Sequence, residues 1–204
     1  MEVKTILFDL GGVLIDWNPR FLYRKIFKDE EEMEYFLREV ADMDWNEQQD
    51  AGRPFEEAIQ ILSEKHPKYT REIESYFFRW KEMLNGPIEG TLEIFRKLKQ
   101  IKNLPIYALT NWSAQTFPIA RELYPFLGWF DGILVSGEEK TKKPHHRIYH
   151  LTAERFQLNP STTLFIDDSL RNVNAAIECG YQAVHFESPE KLSLLLSDLN
   201  ILKS

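Results

Sequence analysis

A single cysteine, Cys179, stands among the 204 residues, which excludes an internal disulfide framework and fits a reducing, cytoplasmic setting. It falls in a helical pattern just before Gly180, so a buried core thiol is expected there rather than a nucleophile. Positive charge is in deficit: 25 Lys and Arg face 32 Asp and Glu, for a net charge of −7. No nucleic-acid partner is expected, because that would call for a basic face. No apolar run approaches the ~20 residues that a membrane span needs. Glu2, Lys4 and Asp9 interrupt any charged-then-apolar leader at the N-terminus. Internal repeats and low-complexity segments are absent, and no apolar helix demands a partner, so a monomer is expected. What remains, 43% apolar and 28% charged residues, is ordinary for a globular chain long enough for one or two domains.

The stretch from Thr5 to Leu14 organises the reading. Residues 5–8 are apolar and β-branched and predict a buried strand. Asp9 ends that run, and Gly11-Gly12 lets the chain turn sharply. A carboxylate at the tip of a buried parallel strand sits where open α/β sheets bind ligands; taken alone it serves equally well as a turn cap.

From residue 16 to 86 the character changes. Apolar residues recur at three- and four-residue spacing, in Phe21, Leu22, Ile26 and Phe27, again in Met33, Phe36, Leu37 and Val40, and twice more before Leu84. No strand pattern shows there, and a small helical bundle is expected, closed by Gly86-Pro87. From 88 onward helices and strands alternate. Strands are expected at 104–109, 132–135, 163–166 and 182–186, with helices at 91–100, 114–123, 147–156, 170–179 and 189–199. Gly180 follows the fourth of these helices as a C-cap. The alternation implies a doubly wound, Rossmann-like parallel sheet with right-handed crossovers. The fold expected is therefore an α/β core of residues 1–15 and 87–204, with an all-helical cap of residues 16–86 inserted after the first strand.

Four expected strand ends carry polar residues: Asp9, then Thr110-Asn111, then Lys143-Pro144 beyond the next loop, then Asp167-Asp168-Ser169. Each alone is explained by helix capping or a solvated charge; four on one rim of one sheet point to chemistry. Three carboxylates on one rim repel one another unless a hard cation sits among them, and Mg²⁺ suits oxygen ligands and substrate phosphate. A hydroxyl and a backbone N–H at Thr110-Asn111 can hold phosphate oxygens, and Lys143 adds positive charge where negative charge builds. Asp9 could then attack phosphorus.

These motifs, from Phe8-Asp9-Leu10-Gly11-Gly12-Val13-Leu14 to Phe165-Ile166-Asp167-Asp168-Ser169, resemble in order and separation those of the haloacid dehalogenase superfamily of hydrolases. The resemblance covers essentially the whole chain, because that family also inserts a helical cap after its first motif. Within the family the chain looks most similar to the bacterial α-glucose-1-phosphate phosphatase group, with Asn172-Val173 and Ala175-Ala176 extending the match. The resemblance implies a Mg²⁺-dependent phosphatase of small phosphorylated metabolites that works through an aspartyl-phosphate. It implies Asp9 as nucleophile and metal ligand, and the Gly11 carbonyl as a second ligand. Thr110 and the Asn111 backbone would bind phosphate, and Lys143 would orient it. Asp168 would be the main acidic ligand of the last motif, supported by Asp167.

One position departs from the family pattern. Its phosphatases usually carry a second Asp two residues after the nucleophile, as general acid and base; here that position is Gly11. The metal-binding carbonyl survives, and the acid–base help, worth typically 10²–10⁴-fold, is missing. Asp16, Glu47 and Asp50 are candidate substitutes. Two other functions stay open: a metal-independent 2-haloacid dehalogenase, with Arg20, Arg24 or Arg53 receiving halide, and a non-catalytic phosphometabolite binder. Trp17, Trp45 and Trp112 are expected near the mouth, for stacking on substrate or for packing. Residues 44–52, with Trp45 and Glu47, are expected as a substrate-selecting loop on the cap. His145-His146 reads as a helix N-terminus at the surface rather than a metal site.

Overall fold

The computed structural model describes residues 2–202. Strand β1 (Thr5–Phe8) is wholly buried. A short β2 (Ile15–Trp17) leads into helices α1 (Arg20–Tyr23), α2 (Glu30–Tyr35), α3 (Met43–Asp50), α4 (Phe55–Lys65) and α5 (Thr70–Phe78), and β3 (Leu84–Pro87) leads out. The rest alternates: α6 (Glu89–Leu98), β4 (Ile106–Thr110), α7 (Phe117–Leu123), β5 (Gly132–Val135), a one-turn α8 (Ser136–Glu139), α9 (His146–Phe156), β6 (Thr163–Asp167), α10 (Leu170–Glu178), β7 (Gln182–His185) and α11 (Pro189–Asp198).

Five strands form one parallel sheet in the order β5-β4-β1-β6-β7. The chain leaves the central β1, builds β4 and β5 on one side, then crosses to β6 and β7 on the other. The C-terminal ends beside β1 are therefore the switch point, where such sheets bind ligands. Alternation along β1 divides the core. Ile6 and Phe8 join one cluster with Phe95 and Leu98 of α6 and Leu196 of α11. Leu7 joins the other with Ile148 and Tyr149 of α9 and Ala176 of α10. A period of two with both faces covered makes the strand apolar throughout.

Aromatic side chains of the helical segment pack on one another and continue the core cluster that holds Ile6 and Phe8. Tyr23 packs on Phe36 at 4.8 Å and Trp45 stands edge-on to Tyr76 at 4.9 Å. Asp29 and Asp42 cap α2 and α3 by accepting from Glu31 N and Trp45 N, as short polar residues do at helix starts.

Three expectations need correction. A strand does occur between residues 16 and 86: β2 and β3 pair antiparallel where the chain enters and leaves the helices. It was invisible because a three- or four-residue ribbon has too few positions to show a period. Residues 43–50 are helix α3, not loop, having a capped start and no glycine or proline before Gly52, whose φ is +99°. Cys179 is only half-buried, not a core thiol.

Candidate active site

Asp9 leaves β1 with its backbone N–H still bonded to Ile166 O of the neighbouring β6, at 2.8 Å. Its carboxylate is therefore aimed by two strands. The side chain is buried, and Oδ1 meets the Nζ of Lys143 at 2.8 Å. Lys143 has no exposure and also bonds Asp167 Oδ2 at 2.7 Å and the Leu109 carbonyl at 3.0 Å. All three ammonium donors are thus used, on three different strands' ends. Asn111 positions the lysine: its amide donates to Lys143 O at 3.0 Å and its carbonyl accepts from Lys143 N at 2.8 Å.

Asp167 and Asp168 are adjacent but differently engaged. Asp167 Oδ1 accepts from Ser169 N at 2.8 Å and from the Asn172 amide at 3.0 Å, so both its oxygens are taken within the protein. Asp168 faces the cavity. Gly12 makes room for it: a Cβ there would lie 2.1 Å from Asp168 Oδ2, on a backbone with φ +71°. Carboxylate oxygens of Asp9, Asp167 and Asp168 lie within 4.8 Å of one another. The Thr110 hydroxyl, buried beside them at the end of β4, has no hydrogen-bond partner among the described residues.

Charge does not balance here. Three carboxylates and one ammonium leave two negative charges in excess. Burial raises the Asp9 carboxyl well above the usual range; Lys143 opposes this, and Asp167 and Asp168 add to it. Asp168 is raised by burial and by Asp167, against Lys143. Burial pushes the Lys143 ammonium down, but Asp167 and Asp9 outweigh it and hold its pKa above the ordinary value. An all-oxygen cluster of three crowded carboxyl groups, with an unpartnered hydroxyl beside it, fits a hard divalent cation and a phosphate together.

The comparisons agree with that chemistry. Residues 3–180 match the family model of the haloacid dehalogenase-like hydrolases. The chain belongs to this family.

A sesquiterpene phosphatase of Aspergillus oryzae is 28% identical over 89% of each chain. A phosphoglycolate phosphatase of Shigella sonnei is 24% identical over 90% of this chain and 81% of its own. A haloacid dehalogenase-family enzyme of Bacteroides thetaiotaomicron, solved with magnesium and inorganic phosphate, is 26% identical with a TM-score of 0.71, covering 95% of this chain and 98% of its own.

In this haloacid dehalogenase-like hydrolase the helical segment roofs a cavity of about 380 Å³ over the strand ends. Asp9, Gly11, Gly12, Asn111 and Asp168 line it from the sheet side; Thr110, Lys143 and Asp167 stand buried behind them. Met43, Asn46, Glu47 and Asp50 line it from α3. Their spacing of three and four is one helical face. Trp17, Phe55, Trp80 and Trp112 complete an aromatic wall.

Of the cap candidates, Glu47 faces the cavity and Trp45 does not. Trp45 turns the opposite way from Glu47 on α3 and is buried against Tyr76 and Phe55. The aromatic side of α3 packs on Tyr76 and Phe55 and its polar side meets the cavity, which corrects the expectation for Trp45. Glu47 bonds Lys142 and, at 2.5 Å, Arg171. Burial pushes its carboxyl up, but the two cations prevail and hold it below the ordinary value. Arg20, Arg24 and Arg53 are engaged elsewhere, with Glu34, Glu30 and the Gln48-Gln49 side chains. None of the three lines the cavity.

Arg171, Trp80 and Thr116 were not legible beforehand. Arg171 sits in the first turn of α10, four residues after Asp167, and that proximity to the last motif was the available signal. His145 and His146 are at the start of α9, with His146 paired to Glu178 at 2.8 Å on the surface.

Proposed function

We propose that the protein is a Mg²⁺-dependent phosphomonoester hydrolase of small phosphorylated metabolites, acting through an aspartyl-phosphate on Asp9. The observation that carries this reading is the buried Lys143, held between Asp9 and Asp167 beside the unpartnered Thr110 hydroxyl. A nucleophile, a fixed positive charge and an unsatisfied donor converge where a phosphoryl group would be attacked.

Asp9, Asp168 and the Gly11 carbonyl would hold the magnesium ion, with Asp167 behind them. When bound, the ion supplies positive charge that screens the cluster and polarises the phosphoryl oxygens. The chain's own groups do the rest. An Asp9 oxygen forms the new P–O bond as the ester P–O bond breaks. Thr110 Oγ1 and the Asn111 backbone hold the non-bridging oxygens. Lys143 keeps Asp9 aimed and opposes the effect of burial on its carboxyl, and electrostatic preorganisation of this kind is usually the largest contribution. Asn111 positions Lys143.

The aromatic wall favours an alcohol with an apolar face, and a phosphatase named for sesquiterpenes among the relatives agrees with it. Sugars also present apolar faces to tryptophan, so glucose 1-phosphate belongs in the same panel as farnesyl monophosphate and phosphoglycolate. The dehalogenase alternative loses support, because the three arginines nominated for halide are paired away from the cavity. A lapsed, merely binding site is tested directly. The experiment is phosphate release from this panel with Mg²⁺ and with EDTA. Turnover with Mg²⁺ is expected, and Asp9→Asn should lower it by 10⁴-fold or more, a loss of the order seen when an attacking group is removed. Retained turnover in Asp9→Asn, in a folded protein, would overturn the mechanism.

A further inference from the structure

Gly11 leaves the family's usual acid–base position without a side chain, and the cap carries three carboxylates in reach of a substitute role. Their surroundings separate them. Asp16 bonds the Asn85 amide at 2.9 Å within the β2–β3 ribbon and does not line the cavity. Glu47 lines it, but both its oxygens are bound by Lys142 and Arg171; held as an anion by two cations, it has no proton to give. Asp50 lines the cavity together with Asp9; the Asn46 amide donates to its side chain at 3.3 Å, and among the described residues no cation pairs with it.

We propose that Asp50 is the general acid and base of this hydrolase, delivered by the cap to do what a side chain at position 11 does elsewhere; the assignment takes the phosphatase reading as given.

Asp50 is held over the site by more than its helix. It is the last residue of α3, and its carbonyl accepts from Ser136 Oγ at 2.5 Å. Ser136 Oγ also accepts from Trp112 N at 2.9 Å, so one hydroxyl ties Asp50 to the loop that follows Thr110 and Asn111. Close approach is what makes this possible. A Cβ at Gly52 would lie 3.0 Å from Gly137 O, and one at Gly137 would lie 2.5 Å from Ala114 N. The carboxyl is therefore on a rigid helix end pinned to the phosphate-binding loop, as a catalytic group needs to be.

Its protonation suits the task. Burial is the main cause that pushes the Asp50 carboxyl up to about 7; Glu47 adds to it, and Lys142, Lys143 and the Ser113 backbone oppose it. Tyr76, from α5, faces it as an un-ionised phenol whose own pKa is raised by burial and by Asp50. A group that titrates near neutrality can both donate and accept.

The chemistry balances. As the Asp9 oxygen bonds phosphorus and the ester P–O bond breaks, the Asp50 O–H passes its proton to the departing alkoxide. The alcohol leaves and Asp50 is a carboxylate. It then takes a proton from a water whose oxygen attacks phosphorus, and the P–O bond to Asp9 breaks. Inorganic phosphate leaves, Asp9 is a carboxylate again, and Asp50 is protonated.

Asp50→Asn is the test, because a neutral isostere keeps the packing. With Mg²⁺, kcat/KM for an alkyl phosphate should fall about 10²–10⁴-fold. For p-nitrophenyl phosphate, whose leaving group needs no proton, it should fall far less. Mixing the variant with p-nitrophenyl phosphate should also give a burst of nitrophenolate followed by slow turnover, because hydrolysis of the aspartyl-phosphate has lost its base. Adding Gly11→Asp to Asp50→Asn should recover alkyl turnover, since a Cβ at Gly11 meets nothing within 4 Å. Equal losses on both esters in a folded Asp50→Asn, or unchanged alkyl turnover, would overturn the assignment. A wild-type protein inert toward both esters would sink the phosphatase reading, and this assignment with it.

Discussion

The Nζ of the fully buried Lys143 lies 2.8 Å from Oδ1 of Asp9, which faces the cavity. One ammonium serves two carboxylates there, because Asp167 is bonded at 2.7 Å on its other side. Removing the partner of a buried charge typically costs about 3–5 kcal/mol, since the remaining ion is left uncompensated. Lys143→Met should therefore lower the urea midpoint sharply as well as abolish turnover. Lys143→Arg keeps the charge but not the point geometry, and should recover stability partly and activity hardly at all. A Lys143→Met protein as stable as the wild type would show that the pair does not hold the strand ends together.

Gly11 and Gly12 are neighbours with opposite tolerances. Gly12→Ala would drive a methyl into Asp168 Oδ2 on a backbone that disfavours any side chain. Magnesium affinity should drop, read by isothermal titration without substrate. Gly11→Ala has open space before it, so the fold and the affinity should be nearly unchanged. Equal effects from both would mean that Asp168 takes no part in holding the metal.

The core was legible because buried parallel strands are continuous apolar runs, and each was found to within two residues of its observed ends. Asp9, Thr110 and Asp168 were legible as strand ends because each closes or follows such a run, whereas Lys143 lies beyond a helical turn and a loop after β5. The cap was read less well. In α3 the polar residues face a cavity, and a cavity-facing stripe has the same composition as a solvent-facing one. Composition alone therefore does not separate Trp45 from Glu47, although they sit on opposite sides of one helix. The ribbon of β2 and β3 was too short to show a period, and the role of Arg171 depends on a contact 124 residues away in sequence.

Glu47 clasps the helical segment to the sheet domain through Lys142 and Arg171. Arg171 is half exposed, so solvent screening limits its share to about 1 kcal/mol. Arg171→Ala should raise KM about fivefold by loosening the roof, with kcat less affected. The pH sign follows from Glu47, whose folded pKa lies below its ordinary value of 4.5. Its contribution is fully present above that ordinary value and is lost as pH falls through the folded one. Tryptophan fluorescence, reporting Trp17, Trp80 and Trp112 at the cavity, should register opening on acidification in the wild type and less change in Glu47→Gln. No difference between the two would rule out the clasp as the acid-sensitive contact.

Asp50 carries a cost that can be measured without substrate or metal. Its carboxyl is raised from 3.8 to about 7 in the folded chain, first by burial and then by Glu47. Between those values the native state keeps a proton that the unfolded chain has released. Stability must therefore decline as pH rises from about 4 to about 7, because the native state is the one that binds more protons. At about 1.4 kcal/mol per pKa unit the full decline has an upper bound of about 4 kcal/mol, and screening of the half-buried group reduces it. Asp50→Asn removes the titration. The variant should match the wild type near pH 4 and exceed it in urea unfolding at pH 8, while losing alkyl phosphate turnover. Stability gained and catalysis lost by one substitution is the signature of a charge held in place for chemistry rather than for folding. A variant that is no more stable at pH 8 would mean that Asp50 ionises freely, and that the cavity does not strain it.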